Sequence, residues 1–230
     1  MVREPSNSCC RPSATHPRVV ALLLLCGVLA LVLAGCRCTS KVPEKGSKAY
    51  ADVVSTFYVG LAALQVGDDV RAEDKVAQFA KQVPGEPAGW ANWGVLALRQ
   101  RNYDAAAQRL DHARQLAPRN DQIEYLLGLL ESERGHSAEA IALLRKAVEL
   151  NPQNLRATYQ LAQEIERQGG ANSDGEFQQA VQEILAMRPD NLAALLELSR
   201  IAAKRADPVT LKSAMAQIKD RLSGWPPEVQ

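Results

Sequence analysis

The groups with which this 230-residue chain could do chemistry are few. Beyond the first 35 residues they are His112 and His136, together with carboxylates scattered along the sequence; the five cysteines, Cys9, Cys10, Cys26, Cys36 and Cys38, all lie at or before position 38. Neither histidine has a Cys, His or carboxylate at the spacing of a metal site, and no glycine-rich phosphate loop or nucleophile elbow is written anywhere. His112 follows Asp111 in a helical stretch and His136 falls in a turn, so both read as surface residues. No catalytic, cofactor-binding or metal-binding residue is therefore assigned, and an enzyme is not expected. The candidate for covalent modification is Cys36, which ends a long apolar run.

The elements that organise the rest are two consecutive copies of one 34-residue pattern over 87–154: PAGWANWGVLALRQRNYDAAAQRLDHARQLAPRN, then DQIEYLLGLLESERGHSAEAIALLRKAVELNPQN. Gly94 aligns with Gly128, Ala106 with Ala140, Leu110 with Leu144, Ala113 with Ala147, Pro118 with Pro152 and Asn120 with Asn154. Glycine inside a helix costs ~1 kcal/mol relative to alanine, so close approach of a paired helix is the expected offset. Small alanines face it from the second helix, the leucines fill the space between repeats, the prolines stop the second helix, and the asparagines cap the next one.

That period and those residue types resemble the tetratricopeptide repeat, a helix–turn–helix unit. The resemblance implies an all-α fold, a right-handed superhelical solenoid, with units at about 53–86, 87–120, 121–154, 155–191 and 192–225. In the first unit Gly60, Ala72, Val76 and Pro84 match, and Phe79 replaces the later alanine, which suggests an end repeat whose outer side needs covering. Tyr50, Phe57 and Tyr58 read as an N-terminal cap. The fourth unit is three residues longer; the extra residues are assigned to the turn GGANSDGE, where Ser173 and Glu176 read as a capping box. The fifth is degenerate: Ser199 replaces the glycine, and Asp207-Pro208 supplies a cap and a restart.

The first 35 residues read as a targeting segment. Arg3, Arg11 and Arg18 precede the apolar run Val19–Leu33, which is shorter than the ~20 residues of a comfortable membrane span and suits a secretory signal. Leu33-Ala34-Gly35-Cys36 resembles the bacterial lipoprotein signal, with cleavage before Cys36 and acylation of its thiol. Left uncleaved, the same run is a short membrane anchor, and either way the C-terminal bulk lies outside the cytoplasm. Arg37 rather than aspartate after Cys36 resembles outer-membrane sorting, and 36–48 reads as a flexible tether. Cys38 is an inert linker residue or pairs with another chain. Cleavage removes three arginines and Glu4 from 27 basic and 26 acidic residues. The 24 and 25 that remain give no electrostatic footprint for nucleic acid. The repeat region over about 50–227 is also similar to the N-terminal part of lipoproteins that continue into FG-GAP and ASPIC/UnbV propellers, so an interaction domain of a longer lipoprotein is the alternative. The tail is 226–230.

Stacked helix pairs leave their first helices lining a concave groove. The resemblance places Phe57, Leu61, Asn92, Val95, Arg99, Tyr125, Leu129, Tyr159, Gln163, Arg167, Arg200 and Lys204 on it. The partner-binding candidates among these are Asn92, Arg99, Tyr125, Tyr159, Gln163, Arg167 and Arg200. They would suit an extended peptide or a partner helix, with aromatic faces for apolar anchors, amides for the backbone and cations for carboxylates. In the other reading of these residues the tyrosines pack between repeats and the cations are solvated. The expected partners are a protein or peptide in the groove and a membrane through the lipid.

Overall fold

A computed structural model describes residues 42–222; the leader, Cys36, Cys38, most of the tether and the last eight residues lie outside the described residues. Ten α-helices follow one another and no strand occurs among the described residues. They are α1 (Lys48–Val66), α2 (Asp69–Gln82), α3 (Pro87–Arg99), α4 (Tyr103–Leu116), α5 (Asp121–Glu133), α6 (Ser137–Leu150), α7 (Leu155–Gln168), α8 (Ser173–Met187), α9 (Leu192–Lys204) and α10 (Pro208–Leu222). Odd-numbered helices are the first, or A, members of five pairs, and even-numbered ones the second, or B, members.

Local signals set the boundaries. Asn120, Asn154 and Asn191 each accept a hydrogen bond from a backbone N–H in the first turn of the helix that follows, satisfying donors that a helix start leaves orphaned. Asp207 does the same for α10 through the N–H of Thr210 at 3.0 Å, and Pro208 sits at its first position. Pro118 and Pro152 follow the ends of α4 and α6. α1 is long and apolar enough, by length and composition alone, to cross a membrane, yet Val53, Gly60, Ala63 and Leu64 on it are buried within the array.

Within a pair, the glycines do what their position in the repeat implies. A Cβ on Gly94 would lie 2.7 Å from two carbons of Leu110, and one on Gly128 would lie 2.7 Å from Cγ of Leu144. In the fourth pair the equivalent positions hold Ala162 and Val181, both buried. The added methyl on one helix is matched by a smaller side chain on the other, which keeps the packing dense.

Three local expectations are corrected. Phe79 does not cover an outer face: it is buried, its ring lies 4.9 Å from that of Phe57, and a Cβ on Gly89 of α3 would come within 2.7 Å of its Cδ1. The glycine makes room for the ring, just as small Ala113 faces buried Ile123 one repeat later. The capping box does not form either. α8 already starts at Ser173, whose hydroxyl donates to the Gly170 carbonyl at 2.9 Å, while Glu176 pairs with Arg145. The three extra residues of the fourth pair are shared out rather than held in the turn, since α7 and α8 are each one residue longer than α5 and α6 and the turn grows from three residues to four.

Each helix packs on the next in sequence, and successive A helices also approach one another from α1 through α7. No two B helices come within 8 Å, Cα to Cα. An array whose A helices are drawn together while its B helices splay has the A helices on its inner side.

Candidate partner-binding face

On the inner side, one position per A helix forms a row: Leu61, Val95 and Leu129 are half-buried, then Gln163 and Arg200 are exposed. The face is thus aliphatic over the first three repeats and polar over the last two. Asn92, half-buried, and Gln163, exposed, have no side-chain partner among the described residues. Their amides remain available to a peptide backbone.

Both tyrosines pack against the core shared by the third, fourth and fifth repeats. The hydroxyl of Tyr159 accepts a hydrogen bond from Asn191. Burial raises the pKa of the Tyr125 hydroxyl, with the nearby Arg156 charge acting the other way.

The cations are exposed to solvent, and each is also paired with groups of the array. Arg99 donates to the Leu64 carbonyl at 2.6 Å and pairs with Asp69. Arg167 donates through Nε to Glu164 at 3.0 Å and reaches the Ser132 carbonyl at 3.4 Å. Glu164 is itself buried, and the Ser132 hydroxyl donates to it. Arg200 binds Glu197 at 2.7 Å and Glu166; burial works to lower its pKa, and the hydrogen bonds to these two carboxylates outweigh that and raise it. Lys204 pairs with Asp174 at 2.7 Å. Three ion pairs of the array share one geometry, with the end of an A helix reaching back 30 residues to the start of the preceding B helix: two of those above, Arg99 to Asp69 and Lys204 to Asp174, and a third, Arg134 to Asp104. Opposite charges recurring at that offset within a 34-residue period were readable in the sequence as a ladder between repeats.

His112 is half-buried, its ring 4.2 Å from that of Trp90 in an edge-on contact, which replaces the expectation of a surface residue. His136 is exposed and its Nδ1 lies 2.7 Å from Glu131. No group of three or more His, Cys, Asp or Glu side chains among the described residues could hold a metal ion.

Residues 91–154 and 125–169 match the family model described as tetratricopeptide repeat. Among solved structures, the chain is similar to MamA (residue 41 to the end) from Desulfovibrio magneticus RS-1, at 16% identity and a TM-score of 0.59 over 74% of this chain and 93% of that one. It is similar to PilF of Pseudomonas aeruginosa, at 16% identity and a TM-score of 0.63 over 73% and 75%. A third similar structure is YrrB, described as a TPR protein with an unusual peptide-binding site, at 16% identity and a TM-score of 0.55 over 74% and 86%. A search of the curated proteins found no match. Residues 91–169 therefore carry tetratricopeptide repeats, and the described chain folds as a solenoid of helix pairs like those of tetratricopeptide-repeat structures.

Proposed function

We propose that this chain is a tetratricopeptide scaffold that docks an extended peptide or a partner helix along the inner faces of its A helices, while a lipid on Cys36 holds it at the bacterial outer membrane facing the periplasm. The observation that carries the docking is the row Leu61, Val95 and Leu129 beside the unpartnered amides of Asn92 and Gln163. Apolar anchors and backbone amides together are what an extended segment needs. Because Arg99, Arg167 and Arg200 already hold carboxylates or carbonyls of the array, they position helices, and the amides and aliphatic row make the contact. The lipid anchor is supported by the sequence Leu33-Ala34-Gly35-Cys36 at the end of the apolar run.

Two measurements test the two halves separately. Cys36→Ser should abolish incorporation of labelled palmitate and leave an uncleaved precursor; continued labelling overturns the anchor. Replacing Asn92 and Gln163 by alanine and Leu129 by asparagine should leave the far-UV spectrum unchanged and remove the partners that parent protein captures from solubilised envelopes. An undiminished capture profile overturns the groove.

A further inference from the structure

The outer side of the array holds a second feature. At every junction between repeats, the same positions of two successive B helices and the A helix beneath them frame a space. At the first junction it is filled from within: the Trp93 indole occupies it, its Nε1 donates to Glu73 at 2.7 Å, and the Arg109 guanidinium lies 4.0 Å above the ring. Arg109 also donates to the Trp93 carbonyl at 3.1 Å and to Glu73 at 3.4 Å. A planar cation stacked on an apolar wall and answered by a carboxylate is a favourable arrangement.

At later junctions the tryptophan position holds Leu127, Leu161 and Leu198, and the Arg109 position holds Leu143, Ala180 and Ala214. Hollows of about 470, 480 and 350 Å³ result. Their rims differ. In the hollow of 470 Å³, Arg114 and Arg134 already pair with Asp111 and Glu131. The rim of the last hollow is neutral, with Gln182, Thr210, Ser213 and Gln217. The middle one, between α6 and α8, has an apolar floor of Val148, Leu161, Ile165 and Ala180 beneath three carboxylates, Glu149, Glu176 and Glu183. Its single cation, Arg145, is paired with Glu176. Glu183 accepts one hydrogen bond from Gln179 at 3.1 Å, and Glu149 has no partner among the described residues.

We propose that this hollow receives an arginine side chain presented by a partner polypeptide, seated where Arg109 lies at the first junction. The aliphatic stem would lie over Leu161 and Ile165, and the guanidinium would meet Glu149 and Glu183. The charge complementarity selects the occupant; Arg109 shows that a guanidinium can sit at this place in a junction, where Glu73 answers it and Ile141 stands at the equivalent position here. The site faces away from the groove of the A helices and stands independently of it.

The test uses the full methyl-labelled chain in detergent and two blocked tripeptides, Ala-Arg-Ala and its uncharged analogue with citrulline in place of arginine. The arginine peptide should shift the methyls of Val148, Leu161, Ile165 and Ala180 saturably, and the citrulline peptide should bind about tenfold more weakly. The double variant Glu149→Gln and Glu183→Gln should lose affinity by a similar factor, with an unchanged methyl spectrum in the free protein. Ala180→Arg should plug the hollow and abolish the shifts. Equal binding of the two peptides to parent protein, shifts mapping elsewhere, or an unaffected double variant would each overturn the proposal.

Discussion

At the junction of the first and second repeats, Trp93 and Arg109 fill the space between α2 and α4, whereas at the junction of the third and fourth the same positions hold Leu161 and Ala180 and leave a hollow of about 480 Å³. The two junctions share a backbone plan and are held by different forces. The first relies on aromatic mass: Trp90 and Trp93 lie 5.7 Å apart, Trp90 donates to the Pro84 carbonyl at 2.9 Å, and His112 closes the edge. The second relies on polar stitching. Across it, Ser132 of the third repeat and Arg167 of the fourth hold buried Glu164, and the α7 cap Asn154 donates to Asp121 at 2.7 Å; within the third repeat, Asn151 also donates to Asp121 at 3.0 Å and Lys146 reaches buried Glu124. A repeat period fixes where helices lie, and the side chains at a few equivalent positions decide whether a junction is sealed or offers a surface.

The sharpest break of that comparison is to empty the sealed junction. Trp93→Ala removes the wall under Arg109 and the donor to Glu73, and should cost about 3–5 kcal/mol. Leu161→Ala, at the equivalent position beside an existing hollow, should cost about 2–3 kcal/mol because its surroundings can collapse further. Urea unfolding with hydrogen exchange read helix by helix would check both, since repeat arrays need not unfold in one step. Equal losses would mean that the two junctions are energetically alike.

A smaller effect sharpens the contrast within pairs. Gly94→Ala places a methyl 2.7 Å from Leu110 and should destabilise by about 1–3 kcal/mol through overpacking. Adding Leu110→Val recreates the Ala162 and Val181 arrangement of the fourth pair and should return about half of that loss. A double variant no better than the single one would show that the two pairs differ in backbone spacing rather than in side-chain volume.

The helix pairs, their prolines, their asparagine caps and the role of Gly94 and Gly128 follow from residues a fixed distance apart on one or two adjacent helices, and such relations are visible in a linear pattern. Phe79 was misread because its partner is the missing side chain of Gly89, and a cavity made by absence has no signature in a run of residue types. The Ser173 box failed because the helix starts one residue early, and a start signal with that tolerance cannot decide between neighbours. For the site, the row of Leu61, Val95 and Leu129 was legible from the family pattern, but the pairing of Arg99, Arg167, Arg200 and Lys204 was not drawn. The pairs of Arg99 and Lys204 join side chains of different repeats and only their offset of 30 within a period of 34 betrays them, whereas Arg167 and Arg200 also pair with carboxylates three residues away on their own helices. The hollow between α6 and α8 required knowing that Ala180 stands where Arg109 does.

The gentlest test separates the junctions by pH. Asp121 begins α5, and although burial works to raise its pKa, hydrogen bonds from Asn151, Asn154 and Gln122 outweigh this and hold it below the usual carboxylate range. A carboxylate depressed in the folded state adds stability that is fully present above its unfolded pKa of about 4 and is lost as pH falls through the folded value. The sealed first junction has Val53 at the equivalent position, two periods of 34 earlier, and no such group. As pH falls below about 4, amides of α6 and α7 should therefore lose hydrogen-exchange protection before those of α2 and α3. The effect at this half-buried carboxylate, discounted for solvent screening, should be below about 1 kcal/mol. Asp121→Asn should remove that difference between the two junctions. If α2 and α3 open first in the parent, the polar stitching of Asp121 is not what distinguishes the third junction in acid.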